Sequence, residues 1–306
     1  SRQSPSHQSS IHQHPLAYLL GLEGVALLRA FAGEHDRSFT QARIAEVRRL
    51  LDRAGDLGEG VEVPLVAMDA GYDAWAPSYD TPDNPFFAMD EAVVLPVLDT
   101  IPAGDAVDAM CGTGRYAAHL AARGHRVRGY DVSPGMLEIA RTKLPEAELG
   151  VADVTALPVP DASADVMVIA LAINHVEHLG PVFAEASRVL RPGGHLLVSS
   201  MAGYFAGSRL SPLLALDEHG RIGYLPEWNH TTGEQLRAAL AAGFTVRACE
   251  ELVGEVPPDE NAGEPELPEP GLPMTIWQLH RWVPAAAHAV RDDRVALTVW
   301  HLTAPA

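Results

Sequence analysis

Residues 108–115 read "DAMCGTGR", and the reading of these eight positions decides the fold. They join an apolar run, "DAVDAM" (105–110), to a helical stretch, "GRYAAHLAARG" (114–124). Gly112 and Gly114 let the backbone turn tightly and let a ligand approach where no side chain stands in the way. Met110 is bulky, so φ at this position is expected below zero: either the turn starts one residue later or Met110 points into the core. The next apolar run ends in Asp131, a carboxylate able to accept a hydrogen bond from each of two neighbouring ribose hydroxyls. A helix cap with a tight bend would use the same glycines, and the neighbours must separate the two readings.

Outward from this turn, short apolar runs alternate with helical stretches. "HRVRGYD" (125–131), "AELGVAD" (147–153), "DVMVIAL" (165–171) and "HLLVSS" (195–200) read as strands. Between them, "SPGMLEIARTKL" (133–144) and "GPVFAEASRVLRPGG" (180–194) carry apolar residues three or four apart and end in glycine or proline. Such alternation predicts a parallel sheet covered on both faces, a doubly wound α/β fold. "GFTVRACEELV" (243–253) and "RVALTVWHLTA" (294–304) are expected as added edge strands, and the acidic, proline-rich "PPDENAGEPELPEPGLP" (257–273) as a solvated loop. Before the sheet, "PLAYLLGLEGVALLRAFAG" (15–33) and "FTQARIAEVRRLLDRAG" (39–55) read as two helices, followed by a linker, "DLGEGVEVPL" (56–65). Their apolar stripes must be buried, over an acceptor pocket or in a homodimer.

Charge narrows the partners. The chain of 306 residues carries 40 acidic and 22 basic side chains, a net charge of -18, and its single lysine is Lys143. A surface this acidic repels phosphate backbones and anionic lipid, so neither nucleic acid nor a membrane is expected as a partner. The apolar stretch 16–33 is interrupted by Glu23 and Arg29, which makes it too polar to span a bilayer. The two cysteines, Cys111 and Cys249, stand far apart in dissimilar surroundings, which fits a reducing cytoplasm better than a disulfide scaffold.

Four motifs in order then resemble a family, the class I S-adenosylmethionine-dependent methyltransferases, over roughly residues 68–304. "VDAMCGTGR" is similar to their glycine motif, "GYDVSPGML" to the segment with the ribose-binding acid, "ADVTALPVPDASAD" to the adenine segment and "RVLRPGGHLLVSS" to the fifth-strand signature. "GYDAWAPSYD" (71–80) resembles the tyrosine-bearing helix that covers the cofactor in many small-molecule members. The resemblance implies a seven-stranded Rossmann-like sheet and S-adenosyl-L-methionine as cofactor. It implies that Gly112 and Gly114 face the methionine part, Asp108 its amino group and Asp131 the ribose. Met136 would pack on the adenine, Asp153 would accept from its amine and Val154 would offer a backbone amide. Cys111, Val132 and Ala170 complete the set, and Tyr72 and Tyr79 would reach the carboxylate or wall the methyl group. A dinucleotide enzyme expects G-x-G-x-x-G, and the third glycine is missing here.

Methyl transfer from a sulfonium is an in-line displacement that mainly needs alignment and dryness. His175, just past the fourth strand, is the candidate general base, with a pKa near 6.5 if unperturbed; its other reading is a loop brace. "HVEH" (175–178) offers too few ligands for a metal site. Tyr204, Tyr224, Trp228 and His230 fall in 201–230, read either as an aromatic lid that binds substrate or as ordinary core. The expected organisation is therefore a disordered tail (1–10), an N-terminal helical extension (11–66) that is a lid or dimer contact, and a methyltransferase domain (67–306). The acceptor is expected to be a small organic molecule, a secondary metabolite. The alternative is a cofactor-binding protein or cyclase of the same fold that transfers no methyl.

Overall fold

Strands separated by helices cannot pair as hairpins, so each must be reached by a crossover and the sheet becomes parallel. The computed structural model describes residues 9–81, 84–203, 208–254 and 265–306, and these divide into two compact units.

The smaller unit begins with β1 (Ser10–Gln13), α1 (Pro15–Phe31), α2 (Arg37–Asp52) and β2 (Val61–Pro64). β1 and β2 pair antiparallel, Ile11 opposite Val63, so the segment expected as a linker holds a strand and the expected tail ends in one. Four-residue strands whose partners lie so far apart in sequence leave no hairpin signal to read.

The larger unit, residues 66–221, 225–252 and 295–306, holds α3 (Met68–Trp75), α4 (Pro85–Leu98), β3 (Asp105–Ala109), α5 (Arg115–Ala122), β4 (Arg126–Asp131), α6 (Pro134–Lys143), β5 (Glu148–Val151), β6 (Ala164–Ala170), α7 (Leu179–Val189), β7 (Leu190–Met201), β8 (Leu210–Leu216), most of β9 (Ile222–Trp228), α8 (Thr232–Ala241) and all but the last residue of β10 (Thr245–Val253). The chain then gives α9 (Ile276–His280) and α10 (Pro284–Arg291) to the smaller unit and returns to the sheet as β11 (Val295–Thr303). A single cut at 66/67 therefore does not describe the chain, because 253–294 fold with the N-terminal helices. Leu19, Leu22 and Ala26 of α1 and Leu50 of α2 pack on Trp282, Val283, Ala286 and Val290. The stripe of α1 is thus covered within its own unit. The same unit buries a Glu23–Arg43 ion pair at 2.8 Å.

The sheet has seven strands in the order β10-β11-β7-β6-β3-β4-β5. β3 pairs parallel with β4 on one side and β6 on the other, while β11 runs antiparallel to β7. This is the expected doubly wound, mostly parallel, Rossmann-like sheet. β10 is an edge; β11 lies inside, between β10 and β7. Alternate residues serve opposite faces, as strand geometry requires. Val107, Ala109, Met167 and Leu196 meet Val182 and Phe183 of α7, while Ala106, Val166, Val168 and Leu197 meet Val94 and Leu98 of α4 and Leu120 of α5. Strand order reverses at β3, and in open α/β sheets the crevice beyond the carboxyl ends at that switch is where ligands bind.

Candidate active site

A cavity of about 450 Å³ lies at this switch, lined from α3, the β3–α5 turn, the β4–α6 turn and the ends of β5 and β6. That volume is in the range of small-molecule sites.

The glycine turn forms its floor. Cys111 N–H donates to the Tyr130 carbonyl at 3.0 Å, and Gly112 N–H to Asp131 Oδ2 at 2.8 Å. Asp131 Oδ1 accepts from Ser133 N–H at 2.9 Å. Both carboxylate oxygens thus accept from the backbone and retain acceptor capacity for a ligand. Burial pushes the Asp131 pKa up, and the backbone donors oppose it. A Cβ on Gly112 would meet nothing within 4 Å, so its backbone faces open cavity. Gly114 does something else. Its φ is +81°, and a Cβ there would lie 3.1 Å from Leu144 and 3.2 Å from Ala140. It therefore allows the turn to pack on α6 and, contrary to expectation, does not line the cavity.

Met110 corrects a second expectation. Its φ is +57°, the left-handed region, and its side chain also packs on the core. Leu171, at the end of β6, has φ +54°. Both line the cavity, where strained backbone gathers when the surrounding structure over-determines it. Asp108 is buried and accepts from Ala117 N–H at 2.8 Å; burial pushes its pKa to about 7.

The other end of the cavity is built from α3 and from the loop after β6. Asp73 accepts from Ser133 Oγ at 2.5 Å and from Gly135 N–H at 2.7 Å, which pins α3 to the start of α6. Tyr72 beside it donates to His175 Nε2 at 2.5 Å. His175 Nδ1 lies 3.2 Å from the Pro226 carbonyl, which can only accept, so the ring proton sits on Nδ1 and Nε2 is the acceptor. Burial lowers the His175 pKa to about 4 and holds Tyr72 well above its usual value. Tyr79 is pushed to about 12 by burial.

Tyr72, Tyr79, Asp108, Cys111, Gly112, Asp131, Val132, Met136, Asp153, Val154, Ala170 and His175 all line the one cavity. The aromatic segment does not join them. Tyr204 lies outside the described residues. Tyr224 and Trp228 are buried, and neither they nor His230 line the cavity. His230 Nε2 donates to the Val176 carbonyl at 2.7 Å, and Asn174 clamps Met201 and the Trp228 carbonyl, so these groups shape the His175 loop rather than the cavity. Sequence reasoning missed Thr113 and Arg115, which line the cavity; Glu227 beside Pro226 does not line it. Thr113 Oγ1 donates to Asp80 at 2.7 Å, and Arg115 donates to Asp90 and Glu91 at 2.8 and 2.9 Å. Glu227, on β9, is buried, and burial pushes its pKa to about 7. No local motif marks these residues. Among the described residues no group of three His, Cys, Asp or Glu could hold a metal ion.

Residues 107–198 match a family model described as a methyltransferase domain. Over these residues the chain carries a methyltransferase domain similar to those of the class I S-adenosylmethionine-dependent methyltransferases. A malonyl-acyl-carrier-protein O-methyltransferase of Serratia marcescens is 37% identical over 101 residues, which is 33% of this chain and 40% of that protein. A demethylmenaquinone methyltransferase of Renibacterium salmoninarum is 30% identical over 138 residues, 44% of this chain and 58% of that one. The chain thus spans less than two thirds of the length of these curated relatives. Among solved structures, a 4+2 cyclase named SpnF superposes with a TM-score of 0.53 at 19% identity, covering 79% of this chain and 98% of that one. It shares the fold. S-adenosylmethionine is the family's cofactor, and the cavity fits it: open space stands where a Gly112 Cβ would be, and Asp131 has acceptor sites to spare.

Proposed function

We propose that this protein transfers a methyl group from S-adenosylmethionine to a small organic acceptor, a secondary metabolite. The observation that carries the reading is the cavity itself: one end is open glycine backbone beside an underused carboxylate, and the other is a Tyr72–His175 pair. In this reading Asp131 takes the ribose hydroxyls, the Gly112 backbone and Asp108 the methionine part, Met136 and Val154 the adenine, and Asp153 its amine. Asp153 Oδ1 already accepts from Thr155 N–H at 2.8 Å, which leaves Oδ2 for the ligand. When bound, the cofactor supplies an electrophilic methyl carbon.

The chain's own residues then align and deprotonate. Tyr72 holds the acceptor at a fixed oxygen, and His175 Nε2 receives the Tyr72 proton as Tyr72 takes one from an acceptor hydroxyl. The Pro226 carbonyl keeps the imidazole in the tautomer this needs. With a pKa near 4, His175 is neutral at ordinary pH yet a weak base, so alignment and exclusion of water supply the larger share of catalysis. A malonyl or quinone-like acceptor is not carried over from the relatives, which match only part of their length. Cytoplasmic residence belongs to the same reading, supported by two free thiols, Cys111 and Cys249. So does a homodimer, for which exposed Leu28 and Phe31 on α1 are available.

Incubation with methyl-labelled S-adenosylmethionine and a panel of phenols, amines and carbon acids tests the proposal. Label in any acceptor supports it; tight cofactor binding with no transfer favours the non-transferring alternative.

A further inference from the structure

The two edges of the sheet are unequal. One is β5, four residues long; the other is β10, nine residues long, and among the described residues no strand pairs with its outer side. A long edge offers a row of backbone donors and acceptors to another chain, and natural proteins commonly blunt it with charge. β10 does carry charge: Arg247, Glu250 and Glu251 are all exposed. The order of these charges decides what the edge can accept.

Alternate residues of a strand serve opposite faces. Cys249 packs with the cluster that includes α7, and Leu252 with the cluster of α4 and α5, so Arg247 and Glu251 share the first face and Val246 the second. Two copies of one strand pair antiparallel about a two-fold axis normal to the sheet, which brings residues of the same face opposite each other. With the axis at Cys249, Arg247 of each copy faces Glu251 of the other, and Val246 faces Leu252, so charge meets countercharge on one face and apolar meets apolar on the other. An axis at Ala248 would set Val246 against Glu250, and one at Glu250 would set that carboxylate against itself. Glu251 is already oriented, accepting from Thr232 Oγ1 at 2.6 Å, and Arg247 has no ion-pair partner among the described residues.

We propose that the outer edge of β10 is an isologous interface for a second copy of this chain, in the register that sets Arg247 against Glu251. This gives the homodimer proposed above its surface, and methyl transfer does not depend on it, so either reading can fail alone.

The test is the oligomeric state of the full-length protein, followed by sedimentation over a concentration series at about 0.15 M salt, where the net charge of -18 is screened beyond about 8 Å. The wild-type protein is expected to dimerise. Arg247→Glu sets carboxylate against carboxylate twice, and Glu251→Arg sets guanidinium against guanidinium twice, so each alone is expected to weaken the dimer about tenfold or more. Mixing the two variants makes both pairs complementary again, and the mixed dimer is expected within about threefold of wild-type affinity. A wild-type protein that stays monomeric, single variants that dimerise like wild type, or a mixture that associates no more tightly than its components would overturn the proposal. Leu28→Ser with Phe31→Ser is expected to leave the dimer intact; its loss there, with the β10 variants unaffected, would move the interface to α1 and likewise overturn it. S-adenosylhomocysteine affinity, measured first in each variant and expected unchanged, reports an intact fold.

Discussion

The two ends of the cavity are held by different kinds of bond. At the cofactor end, residues 108–136 form one continuous stretch in which backbone N–H groups of Gly112 and Ser133 converge on a single carboxylate, Asp131. At the acceptor end, Tyr72, His175 and Pro226 come from three distant segments and meet on the His175 side chain, which bonds the Tyr72 hydroxyl and the Pro226 carbonyl, with Asn174 and His230 bracing the loop between them. The first arrangement follows from local sequence and concentrates its strength in one residue. The second depends on tertiary packing, and each of its contacts can be removed by one substitution.

The largest effect is expected where the bonds converge. Asp131→Ala removes the two ligand contacts proposed for it and the anchor of the Gly112 turn, so cofactor affinity should fall by about 2 to 4 kcal/mol by calorimetry, given roughly 1.5 to 3 kcal/mol for each charge-assisted bond. Unchanged affinity in a folded variant would take Asp131 out of the site. His175→Ala comes next: turnover should fall on the order of 10²-fold while cofactor affinity holds, because the loss appears only as the acceptor gives up its proton. A base must be neutral, so wild-type activity should decline as pH falls through about 4, the value burial imposes, rather than near 6.5. That limb should vanish in the variant. A surviving limb would leave His175 as a brace.

Smaller effects separate the two ends further. Asp108, pushed to about 7 by burial, loses its charge as pH drops, so its attraction for the cofactor's ammonium is present above pH 7 and lost below it. Cofactor affinity should then fall up to about tenfold from pH 8 to pH 6, the limit for one ionisation, and binding should take up buffer-dependent heat. Flat affinity over this range would contradict it. Gly114→Ala should lower stability by about 1 to 2 kcal/mol, the cost of a side chain in left-handed backbone, while the cofactor contacts survive. A melting curve with bound and free protein checks both parts.

How much of this was legible follows the same division. The sheet was readable because each apolar run and each helix announces itself within a dozen residues, and much of the cavity lining because its groups sit at successive strand ends. Gly112 and Gly114 look alike in sequence, yet one faces open space and the other packs on α6, a difference set by α6 and invisible locally. Met110 misled because sterics alone place φ below zero, whereas the Cys111 bond to Tyr130 and the core contact together hold it at +57°. At the other end, aromatic content pointed to Tyr224, Trp228 and His230, which are buried or bracing, while Phe87, which does line the cavity, carries no motif. The division at 66/67 failed for a similar reason: the partner of α1 and α2 is encoded some 250 residues later, in α10.

Calorimetric titration of S-adenosylmethionine into the wild-type protein tests the central claim most directly, with NAD as the control ligand. One saturable site for S-adenosylmethionine, competed by S-adenosylhomocysteine, weakened by Asp131→Ala, and no comparable binding of NAD is the expected result. A folded protein that binds NAD in this cavity, or binds neither ligand, would contradict it.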